Sequence, residues 1–364
     1  MAGKSYNVGV IGYGMSAKVF HIPLVQATPQ FKLHAIVQRT PKPDDDASKD
    51  HPGAKIYHSA EEMFADSSLD IIAITTTPET HFSFTKAAIE AGKHVMVEKP
   101  FVPTSAEAQT LVELSAKTGK LICVYQNRRW DSDFLTVKKL LDDGTLGRCV
   151  EFNTHFDRYK AVRPDSWKGT LGMDQAGGVL YDLGTHLIDQ SYVLFGMPAS
   201  VTAFFANQRN DGQPEPDSIT VLLHYANNGP LVTVKAGVMS VETKQLRYWV
   251  RGAKGSFKKF HLDVQEDQLK AGQKPGDAGF GVESAESSGT LVVMDGEQPK
   301  ERTHANIAPL TYGTLYSRFA SAIEGGGFDA VPVKATEARD VLKIIEAAKE
   351  SASAGKTVKV SAFA

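Results

Sequence analysis

Tyr6-Asn7-Val8-Gly9-Val10-Ile11-Gly12-Tyr13-Gly14-Met15-Ser16-Ala17-Lys18-Val19-Phe20-His21 is a short apolar run that ends at glycine and passes into a helical pattern. The run Tyr6 to Ile11 predicts a buried strand. Val19, Phe20, Leu24 and Val25 fall near helical spacing over Ser16 to Ala27, with Pro23 inside. Between them, Gly12, Gly14 and Ala17 form G-x-G-x-x-A. Only glycine lets the main chain turn this sharply and approach a pyrophosphate, and the following helix offers free N–H groups and partial positive charge. A bare G-x-G recurs at Gly279/Gly281 and Gly325/Gly327, but only the first lies between a strand and a helix. Context carries the motif.

Further strands are expected at Lys32 to Val37, Lys55 to Tyr57, Ile71 to Thr75, His94 to Val97 and Leu121 to Tyr125. Helices are expected at His81 to Ala91 and at Ser105 to Thr118, the latter stopping at Gly119, and Ser59 reads as an N-cap three residues before Glu62. Such alternation means parallel strands with right-handed crossovers. Beyond Gln126 come helices near Leu135 to Leu141, Leu180 to Phe195 and Thr336 to Ser351. Strand-like runs fall at Arg148 to Phe156, Ser200 to Asn207, Ser218 to Tyr225, Pro230 to Val238, Leu246 to Arg251 and Gly289 to Met294. Asp263 to Ser288 reads as a long surface loop and Asp44 to Asp46 as a solvated turn. The fold class is therefore α/β: an N-terminal Rossmann doubly wound parallel sheet (1–125, dinucleotide binding), then a C-terminal α+β domain on a largely antiparallel open sheet (126–364, substrate binding and dimerisation).

With 364 residues, two domains are the natural division. Lys plus Arg number 40 and Asp plus Glu 42, a net charge of −2 that argues against nucleic-acid binding through a basic face. The 2 cysteines, Cys123 and Cys149, rule out a disulfide framework and favour a reducing, cytoplasmic setting; both read as small core residues. No apolar stretch is long enough for a membrane span, and the N-terminus lacks a secretory pattern.

After the second strand come Gln38, Arg39, Thr40 and Lys42, with no carboxylate before Asp44. An acidic residue there would bind a ribose 2′-hydroxyl and select NAD, whereas Arg39 suits a 2′-phosphate, so NADP is expected over NAD. Glu98-Lys99-Pro100 closes the fifth strand on the edge where open parallel sheets bind ligands, and Lys99 there can polarise or protonate a substrate oxygen. Asp182 and His186 stand four apart in Asp182-Leu183-Gly184-Thr185-His186, on one helix face that Asp189 continues. A histidine beside a carboxylate suits proton transfer near neutral pH, although a plain surface pair has the same spacing. No metal is expected, because two ligands without a further His/Cys cluster do not make a site.

Together these motifs resemble the glucose-fructose oxidoreductase, inositol dehydrogenase and rhizopine catabolism superfamily of NAD(P)-dependent dehydrogenases, along essentially the whole chain. Gly14 to His21, Gln126-Asn127-Arg128-Arg129-Trp130-Asp131 and Phe156-Asp157-Arg158-Tyr159 look like its NADP-dependent scyllo-inositol dehydrogenase branch. Where that branch often continues with Arg-Pro, this chain has Lys160-Ala161, which leaves the ring contacts and the substrate open. The resemblance implies that Lys99 and His186 handle the substrate proton while Asp182 orients a hydroxyl. It places Gly12, Tyr13, Gly14, Met15, Ser16, Ala17, Arg39, Thr75, Thr76, Thr77, Pro78, His81, Glu98, Lys99 and Asn127 about the cofactor. Arg128, Trp130, Tyr159 and Trp167 are the candidate contacts for a sugar or polyol. It also implies a homodimer, or a higher homo-oligomer, through the C-terminal sheet. The competing readings are a non-catalytic NAD(P)-sensing regulator on the same fold, and a reductase of a non-sugar carbonyl.

Overall fold

The structure, a computed structural model, describes residues 4–361, apart from the side chains of residues 167 and 168. Two compact units are present. The first comprises residues 1–127 with two later segments, 265–280 and 310–339; the second comprises 128–264, 281–309 and 340–364.

Six parallel strands form the sheet of the first unit: β1 (Tyr6–Ile11), β2 (Phe31–Val37), β3 (Lys55–Tyr57), β4 (Ile71–Ile74), β5 (His94–Glu98) and β6 (Ile122–Tyr125). Their order is β3-β2-β1-β4-β5-β6. The chain thus winds one way from β1 and the other way from β4, and the carboxyl ends of these neighbours form the switch point where such sheets bind ligands. Val10, Ile36, Ile72, Ile74, Val95, Val97 and Val124 are wholly buried, as strands covered on both faces require. The helix Ser105–Thr118 has the expected bounds. The Thr104 side chain accepts the Glu107 N–H, Glu107 returns the bond to the Thr104 main chain, and Gly119 turns left-handed at φ 69° to end it. Ser59 likewise caps Ala60–Phe64.

Nine strands build the second sheet, in the order β14-β13-β12-β11-β7-β10-β9-β8-β15. They are β7 (Cys149–Asp157), β8 (Ser200–Ala206), β9 (Ser218–His224), β10 (Leu231–Gly237), β11 (Leu246–Gly252), β12 (Gly255–Phe260), β13 (Gly289–Asp295), β14 (Gln298–His304) and β15 (Val358–Lys359). Only β7 and β10 pair in parallel. The inner face (Phe152, Val201, Val221, Val232, Val250, Phe257, Leu291) is wholly buried, and the helix Thr185–Phe195 packs on β7 and β10. Phe204, Trp249 and Met294 remain exposed.

Several expectations need correction. Asp263 to Ser288 is not all surface loop: Gln265–Lys270 is helical, and Asp263, Gln265, Leu269 and Phe280 are buried. Its few apolar residues, spread among lysines and glycines, hide that pattern. Ser16 to Ala27 and Leu180 to Phe195 are not single regular helices, because each begins with a wide π-type turn, Ala17–His21 and Leu180–Gly184. In the second, a Cβ on Gly184 would stand 2.9 Å from Ile219 Cδ1 and 3.2 Å from Leu180 Cδ1, so a larger residue there would have to push these side-chain ends aside. Two of the acidic triplet are tied rather than merely solvated: Asp46 caps Ala47–Asp50 and Asp45 pairs with Lys18, while Asp44 is exposed. Cys123 is a core residue, whereas Cys149 is only half-buried, at the start of β7. Strands β12, β14 and β15 and the helix Gly313–Ser321 escaped the sequence reading.

Candidate active site

The carboxyl edge of the first sheet carries three of the expected motifs. Gly12 follows β1 at φ 99°, and its N–H donates to the Val37 carbonyl at 3.2 Å. A Cβ there would lie 3.0 Å from Thr75 Oγ1, which itself donates to the Ile11 carbonyl at 2.8 Å. Gly14 and Met15 are exposed, and a Cβ on Gly14 would meet nothing within 4 Å. Ala17 is wholly buried. These are the three separate demands of a dinucleotide turn: a tight bend, open ground before the main chain, and close helix–strand packing. The residues present therefore fit a dinucleotide. Tyr13 is buried and donates to Asp50 at 2.6 Å; burial, then that bond, push its hydroxyl far above the ordinary tyrosine range.

Past β2, Gln38 is buried and braces the next loop, donating to the Asp45 carbonyl at 2.7 Å and accepting the Ala47 N–H at 2.8 Å. This leaves Arg39 exposed, and it has no ion-pair partner among the described residues. The turn after β4 is internally tied. Thr76 and Thr80 share a hydroxyl bond of 2.6 Å, Thr77 donates to Glu79 at 2.6 Å, and Pro78 is buried. His81 lies beneath that edge rather than on it. It is wholly buried with Nδ1 2.9 Å from the Pro100 carbonyl and Nε2 3.1 Å from that of Thr76, and burial depresses its pKa.

Glu98 ends β5 with both oxygens engaged. Oε1 takes the Ser16 hydroxyl and stands 3.1 Å from His21 Nε2, while Oε2 accepts the Lys99 N–H at 3.0 Å. Burial raises its pKa, but His21, Ser16 and Lys99 together outweigh that and hold it down at about 2. Lys99 is half-exposed and is followed by a cis bond to Pro100. Asn127 is buried at the start of a turn, Asn127–Trp130.

In the second unit, Asp182 lies in the wide turn and His186 in the first turn of Thr185–Phe195, so both project from the start of one helix. His186 is buried and Asp182 half-buried. Arg158, at the end of β7, reaches Asp182 at 3.7 Å. Asp189 does not continue the proton-transfer face as expected: it is buried in a two-pronged pair with Arg129, at 2.8 and 2.7 Å. Arg128 is buried too, 3.1 Å from Asp131 and above the Phe156 ring. Trp130 is buried, Tyr159 is 55% exposed, and the Trp167 side chain lies outside the described residues. No cluster of metal ligands occurs among the described residues.

Sequence reasoning missed Arg158, Arg129, His21 and Tyr316. The first three stood inside the quoted stretches, but nothing in their spacing named a partner. Tyr316 donates to His21 Nδ1 at 2.6 Å across 295 positions of chain, which no local pattern reveals.

Comparison with known proteins agrees with the geometry. Residues 6–126 match the oxidoreductase family's NAD-binding Rossmann fold, and residues 138–360 its C-terminal alpha/beta domain. The chain is 38% identical to scyllo-inositol 2-dehydrogenase (NADP(+)) IolW of Bacillus subtilis, over 97% of this chain and 95% of that one. It is 37% identical to the Escherichia coli oxidoreductase YdgJ, over 95% and 96% of the two chains. The solved yvaA structure from Bacillus subtilis superposes with a TM-score of 0.90 at 36% identity, covering 98% of this chain and 99% of that one. With both halves matched in order, a dinucleotide turn on the first sheet and the Asp182–His186 helix on the second, the chain belongs to the Gfo/Idh/MocA oxidoreductase family.

Proposed function

We propose that this protein is a cytoplasmic NADP-dependent dehydrogenase that interconverts a secondary alcohol and a carbonyl on a sugar or inositol-like cyclic polyol. The observation that carries the reading is the strand order: it brings the Gly12–Ala17 turn, the Thr75–Pro78 turn and Lys99 to one carboxyl edge. The names of the relatives support the substrate class, and the exposed Arg39 with no carboxylate between β2 and Asp44 supports NADP over NAD.

The nicotinamide cofactor, when bound, supplies or accepts the hydride. The chain's part is to bind, orient and move a proton. The N–H groups after Gly12 would hold the pyrophosphate, and Arg39 would meet a 2′-phosphate with its planar fork. In oxidation His186, assisted by the Lys99 ammonium, takes the hydroxyl proton; in reduction the two return it. Asp182 orients a substrate hydroxyl, its charge shared with Arg158. Phe204, Trp249 and Met294 on the open sheet supply an apolar face for a second copy of the chain.

The test is absorbance at the reduced-nicotinamide band with purified protein, NADP or NAD, and a panel of inositols, aldoses and lactones. Turnover of a polyol with NADP supports the reading. Absence of turnover across the panel together with absence of NADPH binding would overturn it.

A further inference from the structure

A single carboxylate in the first unit links the phosphate turn to the main chain of the proposed proton-transfer lysine. Glu98 Oε1 accepts from Ser16 Oγ, in the turn, and from His21 Nε2 at 3.1 Å; Oε2 accepts from the Lys99 N–H at 3.0 Å. An ionised carboxylate only accepts, so His21 donates through Nε2. A neutral imidazole then accepts at Nδ1, and Tyr316 donates to it at 2.6 Å. The arrangement is enclosed. His21 is wholly buried, Tyr316 is 1% exposed, and the Tyr125 ring lies against His21 with centroids 4.4 Å apart. In such surroundings each bond is strong and each missing partner is costly.

Fold glue alone would need the carboxylate satisfied, by any donors. Here the two oxygens divide their donors between segments far apart in the chain, Ser16 in the turn and Lys99 at the sheet edge, and the His21–Tyr316 pair fixes the carboxylate between them. A shift of the turn therefore moves Glu98, and Glu98 moves the peptide that carries Lys99.

Building on the dehydrogenase reading, we propose that Glu98, held by His21 and Tyr316, is a positioning residue that couples dinucleotide occupancy of the Gly12–Ser16 turn to the placement of Lys99. On this view Glu98 serves the cofactor from behind the turn.

Amide hydrogen exchange tests this without any substrate. The Lys99 N–H, whose next residue Pro100 has no N–H, is followed by its own cross-peak in NMR-detected exchange, apart from the amides of the neighbouring strand. Removing the Glu98 restraint should speed exchange there about fivefold, as the loss of one ordinary hydrogen bond implies. Ser16→Ala and Tyr316→Phe should each produce that rise, and Ser16→Thr, which keeps the hydroxyl, should restore wild-type exchange. NADPH should slow exchange at Lys99 in the wild type and do so much less in Ser16→Ala. Wild-type exchange at Lys99 in Ser16→Ala, or equal protection by NADPH in both proteins, would overturn the coupling. Should Tyr316→Phe fail to fold, the Ser16 pair decides alone. NADPH affinity, read from nicotinamide fluorescence, separates the two hypotheses: a wild type that does not bind NADPH sinks the dehydrogenase reading, whereas binding without coupled protection sinks only this one.

Discussion

Gly12 and Gly14 stand two residues apart in one turn, yet the structure gives their alanine variants opposite effects on stability. At Gly14 φ is not positive, and an added Cβ finds open space, so the fold has no objection to Gly14→Ala. Lower chain entropy in the unfolded state should even stabilise the variant by about 0.4–1 kcal/mol. On the proposed reading, the methyl instead occupies ground that a pyrophosphate would approach. Losing one charge-assisted bond from the main chain costs about 1.5–3 kcal/mol, or roughly 10- to 150-fold in affinity. Gly12 sits at φ 99°, where an L-residue costs about 1–2 kcal/mol. Its Cβ would also press Thr75 Oγ1 at 3.0 Å, against the bond that ties Thr75 to Ile11. Gly12→Ala should therefore lower the melting midpoint by a few degrees as well as weaken binding. NADPH titration by nicotinamide fluorescence and a thermal melt on each variant give both quantities. Wild-type NADPH affinity in Gly14→Ala would refute the placement of the pyrophosphate, and an unchanged midpoint in Gly12→Ala would refute the account of the bend.

Three further outcomes are expected. Arg39→Ala should weaken NADPH by about tenfold or more, the worth of a charged hydrogen bond, and leave NADH nearly unaffected; equal losses in paired titrations would remove the NADP assignment. Lys99→Met and His186→Ala should each lower turnover by about 10² to 10⁴ with NADPH binding largely kept, so full turnover in both would discard the proton-transfer roles. Glu283, buried beside Lys259 at 2.8 Å, is raised from 4.5 to about 7, burial outweighing the lysine. A carboxyl whose pKa rises on folding adds stability that is complete below about 4.5 and lost by about pH 7, in all on the order of 3 kcal/mol. Urea unfolding from pH 4.5 to 7 should show that decline in the wild type and not in Glu283→Gln; parallel curves would contradict it.

The first sheet was legible nearly residue by residue, because parallel strands buried on both faces leave unbroken apolar runs, and caps such as Thr104 with Glu107 and Gly119 are local chemistry. The second sheet was less so. Strand β14 (Gln298–His304) is exposed along almost its whole length, so no alternation marks it, and β12 hides Lys259 in its buried face. Motif residues were found wherever backbone demands dictate their type, as at Gly12, Gly14 and Ala17. Their partners were not: nothing in the spacing set Arg129 opposite Asp189, or brought Ser16, His21 and the Lys99 N–H to the oxygens of Glu98. Spacing fixes which residues share an element. It is silent on what another element brings to meet them.

That silence matters most under the second sheet, where the interior is charged. Arg247 is 1% exposed and held by Asp133 at 2.9 Å, and its NH2 group donates to Gln190 Oε1 at 2.8 Å. Tyr248 donates to the same oxygen, while Gln190 Nε2 donates to the Arg128 carbonyl at 2.8 Å. Well-packed apolar side chains would stabilise such an interior as much or more, since desolvating paired charges consumes most of what their attraction returns. Stability alone therefore does not account for the network. Directed bonds supply what apolar contact lacks, a fixed register between β11, the Thr185–Phe195 helix and the chain at Arg128. Arg129 with Asp189 adds a second fixed point on the same helix, one residue away. His186 lies one turn before both anchors, so the helix that carries it is pinned by bonds of defined direction close to the imidazole, and Tyr192, donating to Asp340 at 2.9 Å, ties its later half as well.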